Sequence, residues 1–143
     1  MRKQTLKGRT IVEGHCEAKA LVTSKPISFL GGINPADGKI IEKSHDLCGK
    51  CVKNKVLCFP HGHGSTVGSY VLYALKKKGL APKAILNKTA DPVVVVGAII
   101  AEIPMMDKVD ISKIATGDTV DVDATKGIVT LLKKKRSYKQ ECI

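Results

Sequence analysis

Apolar and polar positions alternate first near the start of the chain. "GRTIVEGHCEAKALVTS" gives two short strands, about Arg9 to Glu13 and Glu17 to Thr23. "GGINPADGKII" follows as a turn-rich loop with paired glycines, Asn34-Pro35 and Asp37-Gly38, and "EKSHDLCGKCVKN" continues as polar, irregular structure. "KVLCF" is a short apolar strand. The period then changes. In "STVGSYVLYALKKKG", Val67, Tyr70, Val71, Ala74 and Leu75 recur at helical spacing. Ser65 or Thr66 stands where an N-cap belongs and Gly79 where a helix ends. Gly68 inside this helix lowers its propensity and leaves room for another backbone. "KAILN" reads as a strand, and "PVVVVGAIIAEIP" as one or two more, too short to span a membrane. A short helix or turn is expected around Asp110 to Thr116. "DTVDVDATKGIVTLL" then gives a strand, a turn at Lys126-Gly127 and a last strand. Strands dominate without regular βαβ alternation. The prediction is a layered, mixed α/β fold with a strand-rich core rather than a doubly wound sheet.

Composition narrows this picture. The 143 residues are enough for one domain with a real core, here 1–132. Residues 133–143 read as a solvated, flexible basic tail, since "KKKRSYK" holds five positive charges and no negative one. Aromatics make up only 3% and tryptophan is absent, so Val, Ile, Leu and Ala must fill the core. The formal charge of +11 favours anionic partners: nucleic acid, an acidic protein or a phosphorylated metabolite. Lys76 to Lys78 have a local explanation, because they complement the negative end of the predicted helix. The five cysteines (Cys16, Cys48, Cys51, Cys58, Cys142) are odd in number, and no signal-peptide pattern opens the chain. A cytoplasmic protein without a disulfide framework is expected.

The chemistry-bearing stretch is "CFPHGHGSTVG". It places His61, Gly62, His63, Gly64, Ser65 and Thr66 between an apolar strand and the start of a helix. The first turn of a helix leaves amides without intrahelical partners and carries partial positive charge. Glycines let a ligand approach such amides closely, which makes a carboxylate or phosphate cradle. Ser65 would sit at its centre with an exposed hydroxyl. The plainer alternative is that Ser65 only caps the helix and the glycines only make the turn.

Other candidates are weaker. Cys48 and Cys51 form "CGKC", and Cys58 and His45 lie near enough in sequence to complete a zinc set. One such pair is a loose motif, and the βαβ setting of a thioredoxin-like site is absent. His15, Cys16 and Glu17 read as a solvated turn with a small thiol. His45 and Asp46 sit in the loop before the glycine-loop strand, within possible reach of a partner or substrate. Met105 and Met106 are expected to pack.

"KVLCFPHGHGSTVGSYVLYAL", the later "APKAILNKTADPVVVVGAIIAEIPMMD" and the upstream "GRTIVEGHCEAKALVTSKPISFLGGINPADGKIIEKSHDLCGK" together resemble the aconitase X family, in its archaeal phosphomevalonate dehydratase small-subunit branch. The resemblance runs from about Gly8 to Leu132. It implies a swivelling β/β/α domain. It implies loss of water from (R)-5-phosphomevalonate to give trans-anhydromevalonate 5-phosphate, on an isoprenoid route. It also implies a large partner subunit whose 4Fe–4S cluster acts as Lewis acid on the departing hydroxyl. By the same resemblance this chain supplies Ser65 as the base, with Gly62, His63, Gly64 and Thr66 in the substrate site and no metal ligand of its own. Many relatives carry "GRGS" where this chain has His63; an arginine grips an anion with two prongs and a permanent charge, which histidine does not. The alternatives are an aconitase X-type subunit for another hydroxy acid, a basic nucleic-acid-binding module, and a non-catalytic subunit that only closes over its partner. Scarce aromatics and the absence of a binding motif weigh against nucleic acid.

Overall fold

The alternating segments form strands of one mixed, eight-stranded sheet in a computed structural model that describes residues 2–133. The strands are β1 (Arg2–Lys7), β2 (Arg9–Val12), β3 (His15–Val22), β4 (Val56–Phe59), β5 (Ala84–Asn87), β6 (Met105–Asp107), β7 (Thr119–Asp123) and β8 (Ile128–Lys133). The helices are α1 (Phe29–Gly32), a single distorted turn, α2 (Gly68–Lys77) and α3 (Pro92–Ala101), with a 3-10 turn at Ile111–Lys113. The expected basic tail beyond β8, and Cys142 in it, lie outside the described residues.

Strand order is β1-β8-β7-β3-β4-β5-β6-β2. β3 is the hinge of the sheet. Its first half, His15 to Lys19, pairs antiparallel with β7, and its second half, Ala20 to Val22, pairs parallel with β4. The sheet therefore turns over on itself, and its two edge strands are consecutive in the chain, joined through Gly8 alone. A side chain at Gly8 would press against Val109, the Asp107 carbonyl and Met106 at 2.7–2.9 Å.

Two cores result. On β4, Leu57 and Phe59 face the helices while Val56 and Cys58 face the folded-over half of the sheet. β5 and β6 alternate likewise, and Met105 and Met106 pack into opposite cores, as expected of them. The order of layers is sheet, sheet, helices. A strand buried on both faces loses the apolar/polar alternation, so β4 and β5 read as continuous apolar runs.

"PVVVVGAIIAEIP" was expected as strand and is instead α3 followed by a connection to β6. Asp91 caps it by accepting from the Val93 amide, and Pro92 takes the first helical position, where its missing N–H costs nothing. Burial of Val94, Gly97, Ala98 and Ala101 against α2 and the sheet outweighs the weak helix propensity of the valines and isoleucines. With α3 in place, β4-α2-β5-α3-β6 is a run of parallel strands with crossover helices, so the expected lack of βαβ order is corrected. Both helices lie on one face, because the other face is taken by the second half of the sheet; the sheet is not doubly wound. β1, with Leu6 as its only apolar residue, is a charged edge strand that periodicity does not reveal.

The α2 helix ends as expected. Gly79 at φ +73° lets its own amide reach Lys76 and the Leu80 amide reach Leu75. Its buried stripe is rotated from the expected one. Gly68, Ser69, Val71, Leu72 and Leu75 face inward, while Val67 and Tyr70 are exposed. The small residues decide this. Gly68 lies against Phe29, the Leu30 amide and Val93, and the Ser69 hydroxyl donates to the Val93 carbonyl at 2.7 Å. The room expected at Gly68 is thus used by the α1 turn.

Candidate functional site at the carboxyl edge of the parallel strands

The glycine loop leaves the carboxyl end of β4, the edge at which parallel α/β sheets ordinarily place ligands. Its entry is anchored sideways. The Pro60 carbonyl accepts the amides of Lys88 and Thr89, each at 3.0 Å, so the loop is tied to the segment leaving β5. Ile27 runs alongside, its amide donating to the His61 carbonyl at 3.3 Å and its carbonyl accepting the His63 amide at 3.1 Å. Behind Ile27, buried His45 places Nε2 3.2 Å from the Pro26 carbonyl, and the Thr23 hydroxyl donates to Asp46 at 2.6 Å. His45 and Asp46 therefore brace the segment that braces the loop.

Asp91 makes the second brace. One carboxylate oxygen caps α3, and the other accepts the Gly62 amide at 3.0 Å. This geometry requires glycine. A Cβ at Gly62 would lie 2.4 Å from Val94 and 2.6 Å from the Asp91 carboxylate. Gly64 has φ +95°, and its Cβ would lie 2.5 Å from the Ser28 hydroxyl. Both glycines are dictated by the loop's own packing.

The amides of Gly62 and His63, which the resemblance placed on the substrate carboxylate with that of Gly64, are instead engaged within the chain. Among the described residues, those of Gly64, Ser65 and Thr66 donate to no protein acceptor. They form a run of three donors at the entry to α2, where an anion would find hydrogen bonds. Ser65 is exposed, and its Oγ accepts the Val67 amide at 3.1 Å. That bond closes the turn ahead of α2; the N-cap expected at Ser65 or Thr66 falls instead on Val67, which has no side-chain cap. The bond also stabilises negative charge on the Ser65 oxygen. The hydroxyl proton remains free to move.

The cysteines do not gather. Cys58 is buried between the sheet layers, where loss of solvent drives its thiol far above the ordinary range. Cys16 is pushed up to about 11 by burial, with Lys83 opposing and Asp121 adding to the rise. The Cys51 thiol points to the Asp37 carbonyl, and exposed Cys48 is free. Among the described residues no group of three or more His, Cys, Asp or Glu is placed to hold a metal ion. His15 pairs with Asp121 at 2.7 Å on the far half of the sheet, away from the loop.

A further tie secures this edge. Arg9 of β2 forks onto Asp107 of β6 at 2.8 and 2.7 Å, and the same carboxylate accepts the Ala90 amide just ahead of α3. Burial alone would raise the Asp107 pKa. The Arg9 hydrogen bonds, the Ala90 amide and the Arg9 and Lys108 charges outweigh it and hold the group below its ordinary 3.8. Its stabilising contribution is complete above that ordinary value and is lost as pH falls through the lower folded-state value. Asp107→Ala is expected to reduce unfolding free energy by about 2 kcal/mol at neutral pH, because the Ala90 amide loses its acceptor. Urea unfolding at pH 7 and in mild acid checks this: the deficit against the native chain should shrink in acid.

A three-layer domain that presents a glycine loop and a serine at the carboxyl edge of its parallel strands is a swivel domain of the aconitase type. The aconitase X swivel domain matches residues 5–131, and the chain belongs to that family. It is 50% identical over 139 residues to a Methanosarcina acetivorans protein named phosphomevalonate dehydratase small subunit, covering 95% of this chain and 96% of that one. A Thermococcus sibiricus protein of the same name is 54% identical over 126 residues, covering 88% and 97%. The fold superposes on the crystal structure of Thermococcus kodakaraensis aconitase X in its holo form with a TM-score of 0.89 at 51% identity, covering 91% of this chain and 99% of that one. No helix among the described residues is long and apolar enough to cross a membrane.

Sequence inspection singled out Ser65 and its glycines as the candidate site. It missed Ser28, Ile27 and Asp91, which shape the loop from other segments. Only Asp91 had a local signal, since Asp-Pro is a helix-start pair.

Proposed function

We propose that this chain is the small subunit of a phosphomevalonate dehydratase, a hydro-lyase that removes water from (R)-5-phosphomevalonate to give trans-anhydromevalonate 5-phosphate. The observation that carries the mechanism is the exposed Ser65 hydroxyl amid three unengaged amides at the entry to α2. The substrate carboxylate docks on the amides of Gly64 and Thr66, with the exposed His63 ring beside it. Ser65 Oγ takes the proton from the carbon next to that carboxylate. The electron pair left behind forms the double bond as hydroxide leaves the neighbouring carbon. A serine oxygen is a weak base in water. Here the Val67 amide and the positive end of α2 favour its ionised form, and exclusion of water strengthens both effects.

The chain is only part of the catalyst. Its relatives are named as small subunits, and the 4Fe–4S group of this chemistry would be held by a large partner subunit. The helix layer supports such a partner. Leu30, Val67 and Tyr70 beside the glycine loop, and Tyr73, Val96, Ile99 and Ile100 further along, are large exposed apolar side chains. An exposed apolar surface next to a reactive loop is the ordinary sign of a protein contact. Closure of the large subunit over this face would dry the site. The setting is the cytoplasm.

Anaerobic mixing of this chain with the cluster-bearing subunit from the same genome tests the reading. The expected result is a stable complex that dehydrates 5-phosphomevalonate, with neither subunit active alone. An intact, cluster-loaded complex that leaves 5-phosphomevalonate untouched would refute the substrate.

A further inference from the structure

A cleft of about 900 Å³ opens at the same carboxyl edge, on the side of the sheet away from the helices. Its size is that of a small-molecule site. Its walls are the segments that leave β3, β4, β5 and β6, and Pro60, Lys88, Thr89, Lys108, Asp110 and Ser112 supply its character. Pro60 is common to the cleft and the glycine loop, and its carbonyl is the acceptor for the Lys88 and Thr89 amides. The cleft and the glycine loop therefore open at the same edge of the sheet, where Pro60 leaves β4.

The chemistry of the cleft is that of an anion site. Lys88 and Lys108 rise from adjoining backbone, the Lys108 amide donating to the Lys88 carbonyl at 3.0 Å. Neither ammonium group is held in an ion pair among the described residues. Lys108 adopts φ +57°, a left-handed conformation that a residue other than glycine takes only where its surroundings impose it. The single carboxylate of the lining, Asp110, accepts the amide and hydroxyl of Ser112 and feels the Lys88 and Lys113 charges, which leaves the lining net positive. A phosphate monoester carries close to two negative charges and three acceptor oxygens. Two ammonium groups and the Thr89 hydroxyl answer that demand.

We infer that this cleft holds the phosphate end of the substrate while the glycine loop holds its carboxylate end. The inference rests on the phosphomevalonate reading and adds to it the residues that recognise the phosphate. Lys88 and Lys108 are binding residues and take no part in the proton transfer.

The test uses the reconstituted heteromer with Lys88→Gln, Lys108→Asn (asparagine tolerates the left-handed backbone) and Lys53→Gln as a charge control at the opposite edge of the sheet. Thermal melts and gel filtration confirm that each variant folds and assembles. Each cleft variant is expected to raise KM for 5-phosphomevalonate about tenfold or more, the loss of one charge-assisted contact, with kcat within about threefold. Inorganic phosphate should inhibit the native complex competitively and lose about tenfold or more in potency against both cleft variants. Lys53→Gln should change neither quantity. Unchanged KM and phosphate inhibition in the cleft variants would overturn the inference and leave the activity standing, as would equal effects from Lys53→Gln. Should the native complex not act on 5-phosphomevalonate, the substrate reading fails. Phosphorus NMR of inorganic phosphate with the same complex then decides the cleft: binding that Lys88→Gln abolishes upholds an anion site, and no binding refutes it.

Discussion

Ser65→Ala in the assembled complex is expected to lose turnover by about a thousandfold while KM for 5-phosphomevalonate changes by less than about fivefold. In the proposed mechanism the hydroxyl acts on the proton in flight, so its loss would be felt in the transition state more than in the bound substrate. The structural cost is small by comparison. Ser65 accepts one amide, from Val67, and loss of such a bond costs about 1 kcal/mol. Complex formation and the thermal midpoint should therefore be near native. That separation is the point of the experiment. A dead enzyme with an intact assembly excludes the view that this chain merely closes over its partner. Turnover within tenfold of native would mean that Ser65 only closes the turn, and the base would have to be sought on the large subunit.

Gly97→Val should be the most destabilising single change in the helix layer, lowering unfolding free energy by about 3 kcal/mol and the melting midpoint by about 10 °C. Gly97 is where α3 crosses α2. A Cβ there would stand 2.6 Å from Leu72 Cδ1 and 3.2 Å from both Leu72 Cβ and the Ser69 Cα. The Leu72 tip can turn aside, but the Ser69 main chain cannot, so the helices must move apart. Their separation would also disturb the loop, because Asp91 at the head of α3 holds the Gly62 amide. Activity should fall with stability. Denaturant unfolding of the isolated subunit measures the first effect, and assay of the complex below its melting point measures the second. Native-like stability would show that the two helices have slack at this crossing.

The contrast between these two sites shows how far the sequence is legible. Ser65 could be found because strand, glycines, serine and helix follow one another within a short stretch, and a helix start has the same unsatisfied amides in any protein. Gly97 could not be found as a contact point. Its partner, Leu72, lies in another helix, and the segment around Gly97 has the composition of a buried strand. The same distance along the chain hides the supports of the glycine loop. Ser28, Ile27 and Asp91 meet Gly64, His63 and Gly62 only once the α1 turn and α3 are packed. The cleft beside the loop is the extreme case, assembled from the exits of four strands.

By itself the sequence determined the local elements whose period survives burial on one face: β2, β3, β7, β8 and the existence and C-terminal end of α2. It also carried the family likeness and the glycine loop with Ser65, since both depend on residues in consecutive order. The tertiary structure alone decided that "PVVVVGAII" is a helix, that α2 turns Tyr70 outward, and that the sheet folds at β3 into two layers. In each case the competing conformations are close in local energy. The choice falls to which apolar faces meet, and that is a property of the whole packed chain.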